Sequence, residues 1–264
     1  MTMPATRDAV RILLSRDGLG TAVKHQRKWW RRMRDPERRR ATAWCRKHST
    51  DLDGFARRVE PALWHEATAA SDRIVRLRRE RLAALDLPGA RASDIGGGPG
   101  NLALLHWLVR LLRSETVLET GVASGASSRA ILEALHLNGS GHLYSSDLSG
   151  VIPREHAGLC VDPDMRGRWT LLHEGDRKNL PQLLAPSISG SIDLVHYDSA
   201  KDSKEMRWVL DQVAPALAPS AVIVLDDVDR HGLLEEFVRT TDRSWFVFRT
   251  AAVLGLTEAL EARG

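Results

Sequence analysis

The chain has 264 residues, 43% of them apolar and 27% charged, with 20 glycines and 11 prolines. That composition fits one large or two small globular domains with a sizeable core. No run of about 18 apolar residues occurs, and the opening MTMPATRDAV lacks the basic-then-apolar order of a secretory signal, so neither a membrane span nor export is expected and a cytoplasmic location is. Cys45 and Cys160 stand far apart and read as reduced thiols, not as a disulfide or metal framework.

The formal charge of +4 belongs to one segment. Lys24–Lys47 carries eleven Lys or Arg against Asp35 and Glu37, a local +9 that leaves −5 for the remainder. Trp29, Trp30 and Trp44 are embedded in it. The preferred reading of this arm, 24–47, is a helix whose tryptophans pack on the main domain while its arginine stems cover apolar surface. A phosphate-binding or membrane-surface helix and a basic lid over an anionic substrate are the rivals. Nucleic acid is not the expected partner, whereas a homo-oligomer through the N-terminal helices is.

Residues 1–90 have helix-like spacings with stops at Gly18, Pro36, Gly54, Pro61 and Pro88-Gly89, and Ala62–Leu85 has the composition of a long amphipathic helix. An apolar helix is predicted over 102–112. Short apolar runs then alternate with helical segments: TVLET (116–120), GHLYSS (141–146), WTLLHE (169–174), IDLVHY (192–197), AVIVLD (221–226), SWFVFRT (244–250) and AAVLGL (251–256). Helices are predicted at 126–138, 177–185, 202–217 and 231–241. This predicts an α/β fold: a Rossmann-like, doubly wound sheet of seven strands. The last two strands have no helix between them and should form an antiparallel edge hairpin. The division expected is 1–90, a helical extension, and 91–264, the α/β domain.

Two glycine-rich runs compete for a nucleotide or nucleoside. SDIGGGPGN (93–101) follows the poor strand LDLPGARAS, whereas ETGVASGASS (119–128) follows TVLET and opens the helix SSRAILEALH. A cofactor loop in such a sheet leaves a strand and enters a helix, so the second run is preferred, with Gly121 and Gly125 admitting close backbone approach. The earlier run reads as a turn before the domain, with an active-site lid as its other role. No P-loop Gly-Lys-Ser/Thr ending and no GxGxxG turn is present, which argues against ATP and NAD. Asp147, ending the second strand, suits two ribose hydroxyls because a carboxylate accepts both hydrogen bonds. Asp176, after the third strand, suits either an adenine amino group or a helix cap.

With ETGVASGASS, LYSSD, IDLVHYDSAKD and AVIVLDDV in this order, residues 94–260 resemble class I S-adenosylmethionine-dependent methyltransferases. More narrowly, they resemble the divalent-metal-dependent small-molecule O-methyltransferases of the catechol, caffeoyl-CoA and macrolide-sugar type. The resemblance implies S-adenosylmethionine as cofactor, with Glu119, Gly121, Gly125 and Ser127 on its methionine side and Asp147 on its ribose. It implies a divalent ion, Mg2+ or another, on Asp198, Asp226 and Asp227, and a catalytic lysine at Lys201. The Asp-Asp at 226–227 departs from the Asp-Asn common in that family, adding a charge that suits a hard cation.

Chemistry supports the same site independently. Three carboxylates at neighbouring strand tips converge on the crevice where open α/β sheets bind ligands, and a cation relieves their repulsion. The alternative is that Asp226 and Asp227 cap the next helix, together with Asp229, and that Lys201 makes a surface ion pair. His231, opening a helix at the mouth of the crevice, is a candidate base or substrate contact, and His196 a core or supporting histidine. Two other functions stay open: methylation of RNA or protein recruited by the basic arm, and a non-catalytic binding protein on the same fold. No Asn/Asp-Pro-Pro-Tyr/Phe motif follows the fourth strand, which argues against amino-group methylation of bases.

Overall fold

The computed structural model describes residues 35–85, 101–148, 154–184 and 190–263. Lys24–Arg34, with Trp29 and Trp30, and most of the 93–101 glycine run lie outside them. Three helices come first: α1 (Pro36–His48), α2 (Leu52–Val59) and α3 (Pro61–Ala83). Asp35 caps α1 by accepting from Glu37 N, and Asp51 caps α2 by accepting from Gly54 N. Pro36 and Pro61 sit where their missing N–H costs nothing.

After α4 (Leu102–Leu112) the chain alternates: β1 (Thr116–Thr120), α5 (Ala126–Asn138), β2 (His142–Ser146), β3 (Trp169–Leu172), α6 (Asp176–Leu183), β4 (Ile192–Tyr197), α7 (Ser203–Val213), β5 (Leu217–Leu225), α8 (Leu233–Phe237), β6 (Trp245–Phe248), β7 (Ala251–Leu254) and α9 (Leu256–Glu261). The strand order is β3-β2-β1-β4-β5-β7-β6, with β7 antiparallel to both neighbours and the rest parallel. The seven strands and the terminal hairpin are those the sequence predicts.

Differences fall at the ends of elements. The strand expected at 221–226 begins at Leu217, and its early part jumps register against β4 between Ile192 and Leu194. Pro219 lies in the exposed part of this stretch, where a missing donor is tolerated. The helix expected over 231–241 shrinks to Leu233–Phe237, because residues 228–230 form a tight 3-10 turn first.

Alternate residues of each strand face opposite layers. On one side Val117, Leu143, Leu194, Val222 and Val224 pack under α4, α5 and α9, and α2 and α3 join the same core through Ala56, Trp64 and Ala67. Trp107 of α4 is enclosed there, edge-on to Phe55 and Trp64. On the other side Leu118, Val195, Tyr197, Ile223 and Leu225 pack under α6, α7 and α8, with Cys45 of α1. Both cysteines are buried free thiols. The described part of the basic arm is thus a docked helix: Ala41 and Cys45 are buried and Arg40 pairs with Glu235 at 3.0 Å.

Candidate active site

The tips of β1, β2, β4 and β5 face one crevice. At β1, Glu119 is fully enclosed and its carboxylate accepts from Ser127 Oγ and Ser128 Oγ, each at 2.6 Å, and from Ser145 Oγ at 2.9 Å. Ser127 and Ser128 begin α5, so Glu119 ties the start of that helix to the sheet. Gly121 N donates to Ser146 O at 2.8 Å before the chain turns. A Cβ on Gly121 would lie 2.5 Å from the Asp198 carbonyl oxygen, and one on Gly125 would lie 2.6 Å from Gly158 Cα. Both glycines also hold positive φ, so the protein's own backbone demands them.

Asp147 follows β2 and is 5% exposed. Its Oδ1 accepts from Val122 N at 3.0 Å and Ala123 N at 3.3 Å, while Oδ2 is buried with no hydrogen-bond partner. A buried acceptor left in that condition is costly, and a ligand hydroxyl relieves it. Leu148 beside it is 59% exposed, an apolar edge next to a polar notch. Asp176 opens α6 and accepts from Ser146 Oγ at 2.5 Å. Burial raises its carboxyl pKa and the Asp147 charge adds to the rise, against the opposing hydroxyls. A buried carboxylate notch beside an apolar edge fits the hydroxyls and base of a nucleoside.

The tips of β4 and β5 are ionic. Asp198 N donates to Thr120 O and Asp226 N to Tyr197 O, both at 2.9 Å, which fixes the two acids just past their strands. Lys201 Nζ donates to the Asp198 carboxylate and to Asp198 O at 2.8 Å, and lies 3.1 Å from Asp227 Oδ2. Arg230 Nε is 2.8 Å from Asp227 Oδ1. Asp227 has φ 55, the left-handed region that Asp and Asn tolerate best among residues with a side chain. Burial raises the Asp198 pKa and Lys201 offsets this only in part. Burial would also raise Asp227, but Lys201 and Arg230 prevail and hold it low. Burial would lower Lys201, yet the two aspartates prevail and hold it raised, as an ammonium. His196, Asp198 and Asp226 offer ligand atoms all within 4.8 Å of one another, a donor set that fits a divalent ion.

His231 follows the 228–230 turn and is 5% exposed, with both ring nitrogens buried and unpartnered. Burial lowers its pKa although Glu37, Asp202 and Asp227 act the other way. Helix α1 clamps this turn: Thr42 Oγ1 donates to Asp229 O at 3.1 Å, and Glu37 Oε1 accepts from Gly232 N at 3.1 Å. Sequence reasoning missed a second brace. On α3, Arg78 Nε donates to Ser124 Oγ at 3.0 Å in the turn between β1 and α5, and Arg81 donates to Leu159 O at 2.7 Å and pairs with Asp162. The signal was the density of arginines in RLRRERL near the end of that helix.

Residues 118–228 match the family described as a methyltransferase domain. No curated protein matches the chain in sequence. Among solved structures, the chain is similar to the O-methyltransferase TomG of Streptomyces achromogenes, involved in tomaymycin synthesis and solved with S-adenosylmethionine. The identity is 21% over 70% of this chain and 87% of that one, with a TM-score of 0.50. It is also similar to a candidate caffeoyl-CoA O-methyltransferase from Staphylococcus aureus, at 13% identity over 68% of this chain and 90% of that one, with a TM-score of 0.51. At these identities the likeness is one of fold. The family match runs from β1 to the turn after β5 and takes in the crevice acids and Lys201, leaving Arg230 and His231 just beyond it; over these residues the chain is similar to a methyltransferase domain, carried on a seven-stranded Rossmann-like α/β sheet.

Proposed function

We propose that the protein methylates a hydroxyl oxygen of a small molecule, a sugar or a natural-product scaffold, with a divalent cation such as magnesium at the strand tips. The observation that carries this reading is the meeting of Lys201 with Asp198 and Asp227 at the tips of β4 and β5, beside the β1 loop. When bound, S-adenosylmethionine supplies an electrophilic methyl carbon and the cation a Lewis acid that lowers the pKa of the acceptor hydroxyl.

The chain's own groups divide the work. Asp147 Oδ2 accepts from the ribose, and Asp176 faces the adenine end. Glu119 acts through the loop it organises, since its carboxylate is taken up by serines while Ser127, Gly121 and Gly125 shape the methionine side. Asp198, Asp226 and Asp227 supply the negative charge that attracts the cation. Lys201 is an ammonium while Asp198 and Asp227 stand unneutralised beside it, and relief of that charge would lower its pKa so that Nζ could accept the hydroxyl proton as the oxygen–carbon bond forms and the sulfur–carbon bond of the methyl donor breaks, the electron pair leaving on the thioether sulfur. His231, held neutral by burial, is the second candidate acceptor for that proton. The docked helix α1 holds the 228–232 turn that follows the β5 acids. We place the protein in the cytoplasm and assign the N-terminal helices to framing the acceptor pocket and to self-association.

Calorimetry with S-adenosylmethionine, combined with turnover on a panel of hydroxylated metabolites, tests the reading. The expected result is cofactor binding, with turnover lost in EDTA and restored by Mg2+. EDTA-insensitive turnover would remove the metal and leave methyl transfer standing, while absence of cofactor binding overturns the whole reading.

A further inference from the structure

His196 is the group in the crevice to which the outlined chemistry gives no task. It is 1% exposed on β4, and neither ring nitrogen has a hydrogen-bond partner. Nδ1 faces Glu119 Oε1 at 3.5 Å, too far for a hydrogen bond but close enough to set the ring's orientation. Glu119 is itself immobilised by Ser127, Ser128 and Ser145. A ring nitrogen of His196, an oxygen of Asp198 and an oxygen of Asp226 lie within 4.8 Å of one another. Asp227 is committed elsewhere, its two oxygens facing Lys201 and Arg230.

An imidazole sealed from water with both nitrogens unsatisfied is expensive to keep unless something engages it. Metal-binding histidines characteristically present one nitrogen to the ion and the other N–H to a carboxylate that fixes the tautomer. Glu119 is placed for the second role and the two aspartates for the company of the first. We propose, building on the metal-dependent reading of the site, that the ion is held by His196, Asp198 and Asp226, one nitrogen and two carboxylates, with Glu119 as the outer carboxylate and Asp227 outside the ligand set. The consequence is a change of metal class. An all-carboxylate site suits magnesium, whereas a site with one imidazole favours a first-row transition ion such as Mn2+ or Fe2+. With Asp198 in the ligand set, one of the two carboxylates that keep Lys201 protonated would be neutralised, while Asp227 would still orient the lysine.

The test uses full-length protein with any tag removed, stripped with EDTA, desalted and loaded with Mn2+ without cofactor. Electron paramagnetic resonance counts the bound ion, and electron spin-echo modulation detects a coordinated imidazole nitrogen. One Mn2+ per chain is expected, with 14N modulation in the wild type. His196→Gln should lose that modulation and weaken Mn2+ binding at least tenfold, while keeping the wild-type circular dichroism spectrum. Mg2+ should displace Mn2+ only in large molar excess. Bound Mn2+ without 14N modulation in the wild type overturns the proposal and leaves a carboxylate-only metal site in place. No Mn2+ binding at all overturns both. Should His196→Gln fail to fold, the wild-type modulation decides alone.

Discussion

The two halves of the crevice treat their carboxylates in opposite ways. At the tips of β1 and β2, Glu119 and Asp147 are met by neutral donors: three serine hydroxyls for one and two backbone amides for the other. At the tips of β4 and β5, Asp198 and Asp227 are met by Lys201 and Arg230. Neutral donors set by the fold make a fixed cradle, whose shape changes little when a cofactor arrives. Ionic partners on flexible side chains make a half that can exchange one cation for another. The first half suits recognition of an unvarying cofactor, and the second suits chemistry in which a proton and a charge move.

Substitutions that strike one half and spare the other break this contrast most sharply. Asp198→Ala should abolish turnover, by more than about a thousandfold, and remove divalent-ion binding measured by calorimetry. S-adenosylmethionine affinity in that variant should change little, and retained turnover would show the strand-tip reading to be wrong. Lys201→Met should lower kcat by roughly a hundredfold to ten-thousandfold, the usual worth of a general base. The rising limb of its pH-rate profile should disappear, because that limb reports loss of the lysine's proton. Asp147→Asn should weaken cofactor binding by about 1.5–3 kcal/mol, the scale of hydrogen bonds to a charged group. That is roughly a tenfold to hundredfold rise in Kd, with ion binding unchanged.

The smallest expected effect concerns stability and pH. The folded-state pKa of His231 is depressed by burial. Its neutral form is therefore favoured in the folded state, and the associated stability is present above the ordinary histidine pKa of about 6.5 and lost as pH falls through that value toward the folded pKa. Urea unfolding between about pH 7 and pH 5 should show this loss, and His231→Gln should flatten part of it. An identical slope in the variant assigns the pH dependence to other groups.

The sheet was legible because its strands are short apolar runs bounded by turn residues, a pattern set by local burial. The glycine turn between β1 and α5 was legible for a related reason: its run leaves an apolar strand pattern and enters a helical one. Gly121 was chosen for a ligand's approach, yet its tightest demand comes from the Asp198 carbonyl, a contact far away in sequence that no spacing reveals. His196 was placed as a supporting residue because a lone histidine on a strand carries no ligand signal. Its proximity to Asp198 and Asp226 depends on parallel pairing of β4 with β5. The arginine-dense RLRRERL run signalled a brace, but its targets, Ser124 for Arg78 and the 159–162 segment for Arg81, lay beyond sequence, since long side chains report direction only once helix and sheet are packed.

The contact at Gly121 has a consequence for changing this enzyme. The cradle and the ionic half look independent, but they touch where the β1 turn leans on the carbonyl of Asp198. A methyl group there would push the β1 turn and Asp198 apart, and under the proposed function that would shift methyl donor and proton acceptor relative to each other. The spacing between the β1 turn and the start of the segment after β4 is thus pinned at a position that admits only a hydrogen atom.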